Sequence, residues 1–257
     1  MPAPNSILRI LLVKISSLFK SPLKLLIFAI GTMALVLVLW LISLTLEPHP
    51  EIKSIVVSNV SDRSVTLSWA SNLPTKGRLY VNKSGKFGVF PNLKRGLLDD
   101  QLQVFDRNIR LDTHLITLDG LTPETTYFAR VYQGIWSSKL YSFKTLPTFN
   151  AATVPNPVYG KILEPDRKTP AAGVIVYLTL KNATNSATLA VLTTANGAWQ
   201  LDLANVKVNG GKELFPLTPA TTIKLVVEAG LRGQIQAQLK LNQLTPVPDI
   251  VLSKAKQ

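Results

Sequence analysis

Cysteine is absent from this chain of 257 residues, and histidine is nearly so, with two. The first absence excludes disulfides, thiol nucleophiles and thiolate metal sites, and with them any clue to a redox compartment. The second means that a zinc site built on His49 or His114 would have to recruit carboxylates around a single imidazole. Charged residues are also scarce, at 17% against about 25% in ordinary soluble proteins. Mean hydropathy is nevertheless positive, at +0.22, so apolar residues must be concentrated in one place. No Gly-x-Ser-x-Gly elbow, phosphate-binding Gly-Lys-Ser/Thr loop or His-Glu-x-x-His run occurs, and the glutamate pair of a glycosidase has no evident counterpart. The expectation is a non-enzyme with no catalytic residue, no metal and no cofactor, in which His114 is a satisfied strand residue. Asp99, Asp100 and Asp106 are spaced irregularly among Arg107 and Arg110, which reads as salt bridging on a solvated loop rather than a calcium site.

The apolar residues are found from Leu25 to Leu46, a run without one charge. As a helix rising 1.5 Å per residue it would span about 33 Å, enough for a hydrocarbon core of about 30 Å. Arg9, Lys14, Lys20 and Lys24 precede it, and Glu47, immediately after it, is the first acidic residue of the chain. That asymmetry predicts a cytoplasmic N-terminus and an extracytoplasmic C-terminal part. A cleaved signal peptide would carry a shorter apolar region, of about 7 to 15 residues, and a small-x-small cleavage site. The reading is therefore a single-pass signal anchor whose partner is the lipid bilayer through residues 25–46. Residues 1–24 form a basic segment, in which Ile7, Leu8, Leu11, Leu12, Ile15, Leu18 and Phe19 share one helical arc. Either an amphipathic helix on the inner leaflet or a flexible basic tail fits them.

Beyond Pro48-His49-Pro50 the pattern becomes one of short alternating strands bounded by turn residues, so the rest of the chain is expected to be all β. In Val65 to Trp69 the odd positions point to a core and Thr66 and Ser68 to solvent, as in a half-buried strand. Further on, Leu121-Thr-Pro123-Glu-Thr-Thr-Tyr127 leads into the alternation Tyr127, Ala129, Val131. With Trp69 on the second strand and a closing strand Tyr141 to Thr145, this stretch resembles the fibronectin type III family over about residues 50–148. The resemblance implies a β-sandwich with Trp69 as core anchor, and a corner at Pro123 in which the Tyr127 hydroxyl bonds back to upstream backbone. The match is weakest between Val81 and His114. No Arg-Gly-Asp is present, so the family's integrin-binding loop does not carry over.

Phe149 to Asn156 reads as a short, stiffened linker. After it come Tyr159-Gly160-Lys-Ile-Leu163, the Pro170 and Gly173 turn before a buried strand, and Thr193-Thr-Ala-Asn196-Gly197-Ala-Trp199. This stretch resembles the carboxypeptidase regulatory-like family, which implies a transthyretin-like sandwich over residues 157–252. Asn196-Gly197 supplies the positive dihedrals of a tight hairpin, after which Trp199, Leu201 and Leu203 alternate into a core. Thr222–Glu228, Gln234–Leu241 and Asp249–Leu252 provide further strands. Residues 204–220 form a long connection that the family pattern does not explain, and loops of that kind often carry binding. Sandwiches of bacterial adhesins join a lysine to a late Asn or Asp by an isopeptide bond. Lys161 and Asp249 occupy comparable places, but an ordinary exposed lysine is the default.

The fold class expected is thus mainly β: two tandem β-sandwiches behind one transmembrane helix, with segments 1–24, 25–46, 47–148, 149–156 and 157–257. The net charge of +13 is spread over both outer modules. Its densest group is Lys76, Arg78, Lys83, Lys86, Lys94, Arg95, Arg107 and Arg110, the candidate binding residues, with cell-wall polyanions or other surface proteins as expected partners. Tyr80, Phe87, Phe90 and Phe105 lie among these cations. They read more simply as core residues than as base-stacking platforms, and no nucleic acid is expected. Asn59, Asn82 and Asn182 open Asn-x-Ser/Thr sequons. The function expected is structural, adhesive or protein-interacting presentation at a cell surface. The alternative is a carbohydrate- or wall-polymer-binding accessory subunit of an envelope enzyme.

Overall fold

The computed structural model describes residues 21–46, 50–53, 55–88, 96–101, 109–133, 136–149, 154–211, 213–241 and 246–253. The chain forms two compact units, Met1–His49 and Pro50–Gln257. In the first, helix α1 (Pro22–Leu46) begins three residues earlier than the apolar run suggests. Ser21-Pro22 starts this helix: the Ser21 carbonyl accepts the Leu25 N–H at 3.1 Å, and proline at the first helical position has no N–H to leave unpaired. Pro22–Ser43 is long and apolar enough to cross a membrane, and none of it is buried. Thr32 and Ser43 turn their hydroxyls back onto helix carbonyls, which spares the span two exposed donors. The reading of the basic segment before it falls on residues outside those described.

Among the described residues the second unit is mainly β, with a 3-10 turn at Gly230–Arg232. Its first sandwich has a sheet in the order β1 (Val56–Ser58), β2 (Val65–Thr75), β5 (Leu111–Leu118). The facing sheet runs β4 (Leu97–Leu98), β3 (Gly77–Asn82), β6 (Thr126–Gln133), with β7 (Trp136–Ser137) and β8 (Tyr141–Lys144) both on the far edge of β6. Val65, Leu67 and Trp69 of β2 pack on Leu79, Ala129 and Val131, as the alternation predicts. The corner is present too: the Tyr127 hydroxyl accepts the Thr122 N–H at 2.9 Å, and its ring stacks on Phe143. The Thr122 side chain, and after it this backbone hydrogen bond, lowers the Tyr127 phenol below its ordinary pKa. These pairings make the first sandwich fibronectin type III-like. The weakly patterned region, Val81 to His114, supplies the end of β3, β4 and the start of β5.

The second sandwich packs a sheet β11 (Leu189–Leu192), β10 (Ile175–Lys181), β13 (Thr222–Glu228), β14 (Gln234–Lys240) on a sheet β12 (Ala198–Asp202), β9 (Pro157–Leu163), β15 (Ile250–Val251). Val176, Leu178, Leu180, Ile223, Leu225 and Trp199 fill the space between them. Ile235, Ala237 and Leu239 share the inner side of β14 as expected, and Leu241, just past its end, packs on the same core. Asn196-Gly197 does not close a ladder hairpin, because β11 and β12 belong to opposite sheets. The turn carries the chain from one sheet to the other. Only Gly197 takes a positive φ, +74°; its carbonyl accepts the Ile162 N–H, and a Cβ there would lie 2.4 Å from the Ile162 carbonyl oxygen. The segment after Leu203 folds over the core, with Val206 and Phe215 buried in it.

The register of β15 on β9 brings Asp249 beside Lys161, but Asp249 is exposed. The nearby acids are engaged elsewhere: Glu164 pairs with Arg232 and Asp202 accepts the Asn156 and Ala204 N–H groups. The apolar setting and spare acid that an isopeptide bond requires are not assembled around Lys161.

The strongest departure from the sequence reading lies on β2, where Thr66 and Ser68, expected to face solvent, are as buried as their neighbours. The outer face of the β1-β2-β5 sheet lies against the outer face of the β11-β10-β13-β14 sheet. Leu115, Ile175, Tyr177 and Ala190 form an apolar cluster between the two, with Val56, Leu192 and Val226 at its margin.

Candidate functional site

Four places in the β unit carry polar or basic groups. The first is the seam between the sandwiches. Asn59, in the left-handed region at φ +48°, offers its side-chain amide to the edge of β11. Its Oδ1 accepts the Ala190 N–H at 2.9 Å and its Nδ2 donates to the Ala190 carbonyl at 2.7 Å. The sequon at Asn59 is therefore taken up by the fold. Ser68 Oγ and Tyr177 Oη are 2.8 Å apart, and Thr113 Oγ1 donates to the Gly173 carbonyl at 2.8 Å. The Asp112 carboxylate accepts the Leu231 N–H. It also lies 2.5 Å from where a Cβ on Gly230 would stand, and Gly230 has φ +62°, so only glycine fits there. Burial pushes the Tyr177 phenol up to about 12.

A cleft of about 310 Å³ opens along this seam, lined by Lys53, Val56, Ala70, Tyr177, Glu228 and Gln234. Burial raises the Glu228 carboxyl above its ordinary pKa, against the N–H of Gly230, the Lys53 ammonium and the Gln234 amide, which pull it down.

The second place is a buried chain of hydrogen bonds inside the first sandwich. Asp99 is fully buried. Its Oδ2 lies 3.1 Å from His114 Nδ1 and accepts the Leu115 N–H, while its Oδ1 accepts the Gln101 N–H. The solvated-loop reading of Asp99 is thereby corrected: its charge is met by an imidazole and two backbone donors, not by surface arginines. His114 Nε2 lies 3.2 Å from Thr75 Oγ1, which accepts from Gln133 Nε2 at 2.7 Å. With Nδ1 donating to Asp99, Nε2 is left to accept the Thr75 hydroxyl. The connectivity is that of an acid–histidine–hydroxyl relay. However, His114 is sealed beneath Trp69, stacked at 4.8 Å, and the Thr75 oxygen is shared with Gln133. The chain of bonds runs from β5 through β2 to β6 and ties the two sheets together, so His114 is a satisfied strand residue. Asp106 lies outside the described residues. Among those described, no group of three or more His, Asp or Glu side chains is placed to hold a metal.

The third place is basic. Of the expected binding residues, Lys94, Arg95 and Arg107 lie outside the described residues, and the rest do not form one cluster. Lys76, in the β2–β3 turn, and Arg110, just before β5, are at one end of the sandwich; Lys83 and Lys86 follow β3 at the other, about 20 Å away along the strand. Arg78 is half-buried on β3 between them. Lys83 donates to Thr122 Oγ1 and covers the Tyr127 ring, which ties it to the corner. Tyr80 and Phe87 are not in the core: Tyr80 packs edge-on against Tyr132, opposite Arg78 on the outer sheet face, and Phe87 lies under Arg130. Phe90 and Phe105 lie outside the described residues.

A basic surface that the sequence did not reveal lies on the second sandwich. Strand register places Lys181, Thr222 and Lys240 in one row across β10, β13 and β14, and Thr179, Lys224 and Gln238 in the next. The three lysines and Gln238 are exposed. A shallow groove of about 580 Å³ runs there, bordered by Lys181, Asn182, Thr218, Thr222 and Gln238. The lysines are far apart in sequence; only the period-two alternation of β13 and β14, with Lys224 and Lys240 on the outward positions, signalled that they share a face.

No family model matches the chain, and no curated protein matches it. Solved structures that align with it include a fibronectin type III domain derived from human KIAA0970 protein, at 20% identity over 40% of this chain and 78% of that one, with a TM-score of 0.27. The two-domain fibronectin type III segment of chicken tenascin aligns at 15% identity over 75% of this chain and 99% of that one, TM-score 0.26. The FN1–FN3 domains of chicken CNTN1 align at 12% over 75% and 66%, TM-score 0.28. At TM-scores this low the likenesses carry no argument. The description of the first sandwich as fibronectin type III-like rests on its strand pairing and its tyrosine corner.

Proposed function

We propose that this chain is a single-pass membrane protein that holds two joined β-sandwiches outside the cytoplasm as a structural or interaction module. The observation that carries the reading is the helix Pro22–Ser43, without a charge after Lys24 and nowhere buried, which in water would expose an apolar surface far larger than a soluble protein tolerates. The basic residues before it and Glu47 after it favour an uncleaved signal anchor with its N-terminus inside. We read the second sandwich as carboxypeptidase regulatory-like; the Gly197 turn and the buried Trp199 support this. The module works by presentation, through its sheet faces and turns.

Because the chain lacks cysteine, single cysteines report its topology directly. With Ser253→Cys, intact cells of the expression host should react with a membrane-impermeant maleimide; with Ala3→Cys, only lysed cells should. Reaction of Ala3→Cys alone in intact cells would refute the orientation, and a mature chain beginning near Glu47 would refute the anchor. The second reading, binding of a wall polymer, is favoured by one specific feature, the lysine rows on β10, β13 and β14.

A further inference from the structure

The outer face of the β11-β10-β13-β14 sheet is divided. Its Ile175 and Tyr177 end is covered by the first sandwich, whereas the Lys181, Lys224 and Lys240 end is exposed. We infer that this open end is a binding surface for an anionic polysaccharide. The inference deepens the wall-polymer reading by naming the surface and the ligand class.

The chemistry follows from the rows. Neighbouring strands lie about 4.8 Å apart and alternate residues along a strand about 7 Å apart. Lys181 and Lys240, with Thr222 between them, are therefore spaced about 10 Å across the sheet, and Lys224 stands about 7 Å along β13 from Thr222. Three ammonium groups on that lattice suit the repeating anions of an extended polymer rather than one compact anion. The acidic residue that β10, β13 and β14 contribute to this face is Glu228, at the seam end, where it accepts the N–H of Gly230 and the amide of Gln234. Between the lysines stand hydroxyl and amide groups, from Thr179, Thr222 and Gln238, and Asn182 is fixed at the rim by donating to the Pro216 carbonyl at 2.7 Å. Such groups match the hydroxyls of a sugar chain. The one aromatic residue that these strands place on the face, Tyr177, is buried at the seam against Ser68. The platform for base stacking that single-stranded nucleic acid calls for is thus missing there. A polymer that carries anions and hydroxyls together, and needs no ring to stack on, is an acidic polysaccharide.

The test uses the full chain in non-ionic detergent micelles, with immobilised polygalacturonate, neutral dextran and single-stranded oligothymidylate as probes at about 0.1 M salt, where the Debye length is about 10 Å. Lys181→Gln/Lys224→Gln should weaken polygalacturonate binding by roughly 5-fold per lysine, about 25-fold together, and flatten its salt dependence. Lys139→Gln/Lys144→Gln removes the same charge from the first sandwich and should change binding less than about 3-fold, since charges beyond a Debye length are largely screened. Thr222→Val/Gln238→Leu keeps every charge and should still weaken polygalacturonate several-fold, with thermal melts confirming that each variant is folded. Equal losses in the two lysine pairs would reduce the effect to net charge and overturn the inference. So would failure of the wild type to bind polygalacturonate, indifference to the Thr222/Gln238 change, or oligothymidylate bound as tightly and with the same dependence on Lys181 and Lys224. Maleimide labelling reports membrane orientation separately, so failure of one reading leaves the other to be judged by its own result.

Discussion

Replacing Asn59 by alanine probes the seam between the sandwiches at its most specific point. The side chain makes bonds of 2.9 and 2.7 Å to the two backbone groups of Ala190 and one of 3.0 Å to Thr66 Oγ1. Each is worth about 0.5–1.5 kcal/mol net, discounted here because the site is only half-buried and the β11 edge can recover some bonds from water. The backbone adds a second cost, since Asn59 sits at φ +48°, where an alanine loses about 1–2 kcal/mol and a glycine loses little. Asn59→Ala should therefore cost about 2–4 kcal/mol, and Asn59→Gly less, by about the 1–2 kcal/mol that belongs to the dihedral. Urea unfolding followed by tryptophan fluorescence measures both, and hydrogen exchange reads the Ala190 amide directly. Its protection should fall in both variants, because both lose the acceptor. A stability of Asn59→Ala within about 0.5 kcal/mol of the wild type, with Ala190 protection unchanged, would show that the amide does not hold the seam, and the reasoning would fail.

Three more outcomes are expected. Asp99→Ala leaves the Leu115 and Gln101 N–H groups and the His114 ring without their buried acceptor, so a loss of about 3–5 kcal/mol is expected in urea melts; a loss below about 1 kcal/mol would mean that the network is ornamental. Glu228, whose acid is raised by burial above its ordinary 4.5, binds its proton more tightly folded than unfolded. Its contribution is complete below pH 4.5 and is lost as pH rises through the raised value. Glu228→Gln should thus gain in melting temperature relative to wild type across that interval, and parallel curves would contradict the assignment. Finally, a protease site placed within residues 150–153 and cut under native conditions should leave the two sandwiches co-eluting on gel filtration, because the seam joins them independently of the linker. Separation of the fragments would refute that.

Much of the fold was legible because period and turn chemistry are local. The alternation of Val65, Leu67 and Trp69, the Pro123–Tyr127 corner, and Thr222–Glu228 with its inward Ile223, Leu225 and Val227 each declare themselves within a dozen residues. The misread features depend on partners distant in sequence. Asp99 looked solvated beside Asp100, and only the β5 register brings His114 and the Leu115 N–H to it. Asn196-Gly197 signals a tight turn equally well within one sheet or between two, and the choice is made by Ile162, which donates to the Gly197 carbonyl. The basic cluster inferred from Lys76 to Arg110 was contiguous in sequence, yet β3 holds its described members about 20 Å apart. The rows through Lys181, Lys224 and Lys240 are the converse case, assembled entirely by strand register.

The seam also explains why Thr66 and Ser68 were misassigned. Thr66, Ser68, Thr113 and Asn59 are what a solvent-facing sheet surface should carry, and such a surface can also dock wherever each hydroxyl or amide finds a partner. Four pairings meet that requirement here: Ser68 with Tyr177, Thr113 with Gly173, Asn59 with Ala190 and Asp112 with Leu231. An apolar seam of the same area would tolerate sliding by a residue, whereas these directional pairings lose their partners at the first slip. The modest cluster around Leu115, Ile175 and Tyr177 supplies attraction, and the hydrogen bonds fix the register. A sheet face occupied in this way cannot also serve as a docking surface. What the seam leaves open on the second sandwich is the lysine end of the same sheet.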